Sequence, residues 1–310
     1  RRMNAADATA AAAGTAGATA AAAAPAASKG RTAVLLLNLG TPDAATAPAL
    51  RRYLAEFLSD PRVVEIPRAA WLPILHGIIL RTRPAKSAAK YASIWRDDGS
   101  PLAVWTQRQA DALATALGSG VLVRHAMRYG QPSVASQLDA LVAAGAERIL
   151  VLPLYPQYAA ATTASGNDAV MAWAGRQRRQ PEWRFVRSFH DDAGYIEALA
   201  WRVEQHWRTH GRGELLLMSF HGIPARSSQL GDPYEAECKA TAQLLAARLR
   251  LPDTQWRVSF QSRFGKAQWL QPYTEPTLVE LARAGVRRVD LMCPGFVADC
   301  LETLEEIAVE

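Results

Sequence analysis

Glu214-Leu-Leu-Leu-Met-Ser-Phe-His-Gly-Ile-Pro224 is the stretch on which the reading of the fold turns. Three leucines and a methionine run unbroken into Ser219, Phe220 and His221, and Gly222 and Pro224 end the run. A short apolar run closed by Gly and Pro reads as a buried parallel strand, with His221 at its C-terminal tip. Open α/β sheets bind ligands in the crevice outside those carboxyl ends. A histidine placed there can act as a base or a metal ligand near neutral pH. The alternative is a core histidine that hydrogen-bonds a turn.

The same design recurs at the start of the ordered chain, where Thr32-Ala-Val-Leu-Leu-Leu-Asn-Leu39 is broken by Gly40, Thr41 and Pro42. Further strands are expected at 121–127, 148–154, 183–189, 256–261 and 288–292, with a short extended piece at 63–67. Helical spacing appears at 49–58, 106–117, 133–144, 195–207, 234–249 and 276–284. Strands alternating with helices predict parallel βαβ units. The halves also echo each other: Ala144-Gly-Ala-Glu-Arg-Ile-Leu-Val-Leu-Pro153 resembles Ala284-Gly-Val-Arg-Arg-Val-Asp-Leu-Met-Cys-Pro294. The expectation is an α/β protein of two Rossmann-like domains, each a parallel sheet flanked by helices, facing one cleft. An Ala-rich tail over 1–30 is expected to be disordered. The domains then span 31–190 and 191–310, and 310 residues suit two.

Hydrophobic residues at 49% supply enough core for such sheets. The net charge of +6 is spread without a Lys/Arg block, which favours anionic small molecules over nucleic acid. Cys238, Cys293 and Cys300 are too few and wrongly spaced for a disulfide framework or a CxxC site, which points to a cytoplasmic compartment. No apolar run approaches a membrane span. Trp71-Leu-Pro-Ile-Leu-His-Gly-Ile-Ile-Leu80, followed by Arg81, Arg83 and Lys86, reads as a core helix. Its alternative is an exposed lip beside a large apolar ligand, or a peripheral contact with the inner face of a membrane.

Among motifs, GxGxxG, the P-loop, GxSxG and HExxH are all missing. Candidate chemistry instead gathers at strand tips: His221, Arg128 with Tyr129, and Tyr155 with Tyr158. Glu302, Glu306 and Glu310 stand at i, i+4 and i+8, which on a helix makes one acidic ridge. Like charges in a row destabilise a helix by a few tenths of a kcal/mol per pair unless a cation sits among them. A solvated helix face is the plainer alternative.

Six segments now carry a resemblance: Leu37-Asn-Leu-Gly-Thr-Pro42, Tyr155-Pro-Gln-Tyr158, Ser219-Phe-His-Gly-Ile-Pro224, Gly231-Asp-Pro-Tyr234, Phe260-Gln-Ser-Arg263 with Gly265 and Trp269, and Pro294-Gly-Phe-Val-Ala-Asp-Cys-Leu-Glu-Thr303. In order and spacing they resemble the ferrochelatase family from about Arg31 onward. The resemblance implies two chelatase-like domains and insertion of Fe²⁺ into a porphyrin, protoporphyrin IX first among them, as the last step of haem synthesis. It puts the catalytic histidine on His221 and the acidic residue on Glu302, both also as metal ligands. Substrate contacts fall on Leu39, Arg128, Tyr129, Trp269 and Phe296, with Tyr91 and Ser100 on the propionate or lip side. Glu306 and Glu310 match an accessory acidic line. No cofactor beyond the substrate iron is implied and no iron–sulfur cluster is expected. Family members usually continue past the Glu-Thr-Leu-Glu-Glu segment, so the chain reads as shortened at its C-terminal end. The rival readings are a cobalt or nickel chelatase acting on a related tetrapyrrole and a non-catalytic porphyrin carrier.

Overall fold

The computed structural model describes residues 30–308 apart from 264 and 266, so the expected tail and Glu310 lie outside the described residues. β1 (Arg31–Thr41), β2 (Val121–Gly130), β3 (Ala146–Pro153) and β4 (Glu182–Phe185) form an all-parallel sheet in the order β2-β1-β3-β4. β5 (Leu215–His221), β6 (Trp256–Gln261) and β7 (Val289–Met292) form a second parallel sheet in the order β6-β5-β7.

The apolar runs are continuous because both faces of each sheet are covered. On β1, Ala33, Leu35 and Leu37 pack with α5 (Val134–Ala143) and α6 (Ser165–Ala174), while Val34 and Leu36 face α4 (Pro101–Leu117). On β5, Leu216, Met218 and Phe220 pack with α7 (Ala193–His210) and α9 (Tyr234–Arg248), between which lies the short α8 (Ala225–Gln229). Leu215 and Leu217 face α10 (Thr274–Arg283) on the other side. The helix α6 has no counterpart in the sequence reading.

A third cluster lies beyond the tips of β1 and β2. It joins α1 (Ala47–Leu58) with a nearly continuous helical segment: α2 (Arg68–Ile74), one π-type turn (Leu75–Ile79) and α3 (Leu80–Ile94). The expected extended piece at 63–67 is not a strand. Asp60 turns the chain there instead, its carbonyl accepting from Val63 and Val64 and its carboxylate from Arg62 N at 2.7 Å. The Trp71–Leu80 segment is neither wholly core nor wholly exposed. Leu75 is fully buried, while Ile74 and Ile78 are 41% and 57% exposed.

The halves are joined near the strand tips. Gln157 Nε2 donates to Thr241 Oγ1 at 2.9 Å, and Ala160 N donates to Asp232 at 2.7 Å. Lys90 on α3 pairs with Glu305 at 2.8 Å. Buried Glu237 on α9 accepts from Tyr158 N at 2.7 Å and lies 3.0 Å from Arg187 and 3.4 Å from His190. Among the described residues no helix is long and apolar enough to cross a membrane.

Candidate active site

His221 ends β5, half-buried, because the alternation that points Phe220 into the core turns the next side chain to the other face of the sheet. Gly222 follows it where the chain passes close to β6. A Cβ there would lie 2.8 Å from Gln261 O and 3.2 Å from the Trp269 ring. The Nδ1 atom of His221 is 2.6 Å from the Gly222 carbonyl. A carbonyl only accepts, so Nδ1 carries a hydrogen, and in the neutral imidazole the lone pair is then on Nε2. The Phe296 ring stands 6.4 Å from the imidazole, tilted by 52°. Trp269 is buried and bridges to Pro224, three residues after His221.

Glu302 opens a single π-type turn, Glu302–Glu306. Of the expected ridge, Glu302 and Glu306 lie in this turn, and Glu310 lies outside the described residues. Glu306 accepts from Ser262 N at 2.6 Å and from the Ser262 hydroxyl, and buried Glu305 pairs with Lys90. The backbone carbonyl of Glu302 accepts from Gln261 Nε2 at 2.9 Å.

The Glu302 carboxylate faces a group of phenols from the first half. Burial pushes the half-buried Tyr91 hydroxyl far up, and the charges of Glu302 and Cys300 push it further. Tyr53 is raised by burial, then by Tyr91 and Glu302, and its hydroxyl donates to Gly40 O at 3.3 Å. Gly40 holds φ +113° where a Cβ would strike Tyr129 O at 1.8 Å, so only glycine passes that tip. Ser100 is buried immediately before α4, and its hydroxyl stands 2.8 Å from Thr41 Oγ1 rather than capping the helix. Leu39 is half-buried in the cluster of α1 and α3.

Arg128 and Tyr129 form a separate network at the β2 tip. Arg128 binds Asp60 at 2.5 Å and Ser165 Oγ at 2.7 Å, with its guanidinium 4.5 Å from the Tyr129 ring centre. Tyr129 is fully buried and donates to Asp60 at 2.8 Å. Nearby, the buried Tyr155 hydroxyl has no hydrogen-bond partner among the described residues. Gln261 and Asp60 organise these two clusters, yet the sequence reading assigned neither. Gln261 lay inside the quoted Phe260-Gln-Ser-Arg263 segment, whereas Asp60 had no signal beyond its place before Pro61.

Without a metal the thiols stay protonated at neutral pH. Burial raises Cys293 to about 12, helped by Asp299 and Glu306, and burial with Glu302 raises Cys300 well above its usual range. A cavity of 180 Å³ opens at the β1 and β2 tips between Thr41, Tyr53, Glu56 and Gly130. A larger concavity of 530 Å³ lies against the end of α9 and is lined by none of the residues above.

Fold and site together define an α/β protein whose strand tips carry an imidazole beside an aromatic ring and, through Gln261, a tie from the backbone next to that imidazole to the turn of Glu302. The ferrochelatase family model matches residues 31–310. The chain is 70% identical over 283 residues to the ferrochelatase of Methylibium petroleiphilum, covering 90% of this chain and 78% of that one. It is 66% identical over 282 residues to that of Polaromonas sp., with coverages of 90% and 77%. Against the Azoarcus sp. enzyme it is 64% identical over 285 residues, with coverages of 91% and 78%. The backbone also aligns with SirB from Bacillus subtilis with Fe³⁺ at TM-score 0.46 and 12% identity, over 86% of this chain and 90% of that one, a likeness too distant to bear on the reaction. The chain belongs to the ferrochelatase family.

Proposed function

We infer that the chain is an enzyme of haem biosynthesis that inserts ferrous iron into a porphyrin. Membership of the ferrochelatase family supports this reading. The observation in the site that carries it is the His221 imidazole, whose Nδ1 hydrogen is held by Gly222 O.

A free porphyrin holds two N–H protons in its ring, and Fe²⁺ enters only as both leave, so each turnover releases two protons. Nε2 of His221 is the acceptor for a pyrrole proton. Glu302, beside raised phenols that stay protonated, is the negative charge that draws the cation toward the ring and takes up or relays a proton. Imidazole and carboxylate hold Fe²⁺ without trapping it as thiolates would. In this reading Leu39, Arg128, Trp269 and Phe296 lie toward the macrocycle with the fully buried Tyr129 backing Arg128, Tyr91 and Ser100 stand on its propionate or lip side, and Glu306 and Glu310 form the accessory metal line. The two sheets are read as domains, 31–190 and 191–310, meeting at this cleft. Protoporphyrin IX is the proposed macrocycle, with no cofactor beyond the substrate iron. The exposed Ile74 and Ile78, followed by Arg81 and Arg83, are proposed to rest against a membrane surface from the cytoplasmic side.

Mixing the protein anaerobically with porphyrin and Fe²⁺, with Co²⁺ in parallel, tests the reading. The free-porphyrin absorption bands should give way to those of the iron chelate at a rate proportional to enzyme. Bands that shift on binding and then stop changing would instead indicate a carrier.

A further inference from the structure

Gln261 is the last residue of β6, in register with His221, and is buried. Its backbone carbonyl accepts from Gly222 N at 2.7 Å, immediately after His221. Both ends of its side-chain amide are used as well. Nε2 donates to the Glu302 carbonyl at 2.9 Å, and Oε1 accepts from Ser219 Oγ at 2.7 Å and Cys293 Sγ at 3.5 Å. One residue therefore bonds the backbone beside His221 and the backbone of Glu302.

The orientation of the amide is enforced from both sides. The Glu302 carbonyl can only accept, so Nε2 must face it and Oε1 must face Ser219. Ser219 then spends its single proton on Gln261. Thr274 Oγ1, 2.8 Å from Ser219 Oγ, must donate to Ser219, and Ser259, 3.0 Å from Thr274, must donate to Thr274. The result is a buried chain of hydrogen bonds running one way, from Ser259 to Glu302, in which each bond polarises the next.

We propose that Gln261 is the positioning residue that sets where Glu302 stands relative to His221. The inference rests on the roles given above to that pair. Through this tie β6 holds the five-residue turn that carries Glu302. An amide suits the position, since a carboxylate would repel Glu302 and compete for the cation, and an ammonium would occupy its charge.

The test is steady-state chelation with the full chain, titrating Fe²⁺ and porphyrin separately, with porphyrin affinity read by fluorescence quenching and stability by melting. Gln261→Met keeps the length and removes both amide ends. It should raise KM for Fe²⁺ by about five- to tenfold, the loss expected for one hydrogen bond, with porphyrin affinity unchanged. Gln261→Asn retains an amide that is too short to span both partners and should fall between. Leu245→Ala, a buried core change on α9 in neither cluster, should lower the melting temperature and leave the iron KM unchanged. An unchanged iron KM in a folded Gln261 variant overturns the inference, as does a porphyrin affinity that falls in step or an iron KM that rises equally in Leu245→Ala. Should Gln261→Met not fold, Gln261→Asn carries the same comparison. An inactive wild-type chain would instead overturn the chelatase reading itself.

Discussion

At the scale of single residues, the imidazole and the buried Asp60 make different demands on solvent and charge. His221→Ala removes the proton acceptor but none of the apolar surface that would hold a ring. Chelation should fall by about 10²–10⁴-fold, the usual worth of a positioned base, while porphyrin quenching titrations stay close to wild type. Near wild-type turnover would return His221 to a structural histidine of a turn. Glu302→Gln keeps the shape and removes the charge, and should also cut turnover severely. Asp60 gives a prediction in pH. Burial alone would raise its carboxyl, but hydrogen bonds from Ser165, Arg62 N and Tyr129, with the Arg128 guanidinium, outweigh that and hold it below the usual range. A depressed folded-state value means the stabilisation is full above the unfolded value of about 4 and is lost as pH falls through the folded one. The melting-temperature gap between wild type and Asp60→Asn should therefore narrow as pH falls below about 4. A gap independent of pH would show that the carboxylate's charge is not what stabilises the β2 tip.

At the scale of elements, the segment from α2 into α3 has two faces, and the two should separate cleanly by experiment. Leu75 is fully buried against α1, so Leu75→Ala should destabilise by about 2–5 kcal/mol and lower the melting temperature by several degrees. Ile78→Ser, at a side chain 57% exposed, should leave melting unchanged and weaken binding to vesicles of anionic lipid. Equal vesicle binding by Ile78→Ser and wild type would leave the exposed isoleucines as ordinary surface. The Glu302–Glu306 turn behaves differently. Its carboxylates are held by Ser262 and Lys90, from two different parts of the chain, so its position depends on those parts more than on its own bonds.

At the scale of the whole molecule, the joint between the halves is concentrated on α9. Glu237 is buried and receives Tyr158 N and the side chains of Arg187 and His190, all from the first half. Glu237→Gln turns one accepting oxygen into a donor that faces other donors. Stranding a buried group in this way costs about 1–3 kcal/mol, so the melting temperature should drop by a few degrees. The iron KM and porphyrin affinity should both worsen, because each half contributes part of the site. Calorimetry and kinetics on this one variant check both. A variant with lowered melting and unaltered kinetics would show that the joint stabilises the chain without setting the cleft.

The sequence by itself determined the strands and their burial. Runs such as Leu215–Met218 and Val34–Leu37 are apolar at every position, which only a sheet covered on both faces can use, and Gly and Pro mark where the strands that hold them end. It also determined that His221 would stand at a strand tip, because that follows from the length of its own run. Tertiary structure decided what is not local. Asp60 meets Ser165 across 105 positions and Gln261 meets Glu302 across 41, and no spacing rule links residues so far apart. The acidic spacing of Glu302 and Glu306 was legible, but not the contact of Glu306 with Ser262, a residue 44 positions away. Leu75 and Ile78 look alike in the sequence. Only the packing of α1 against the π-type turn put the first inside and left the second in solvent.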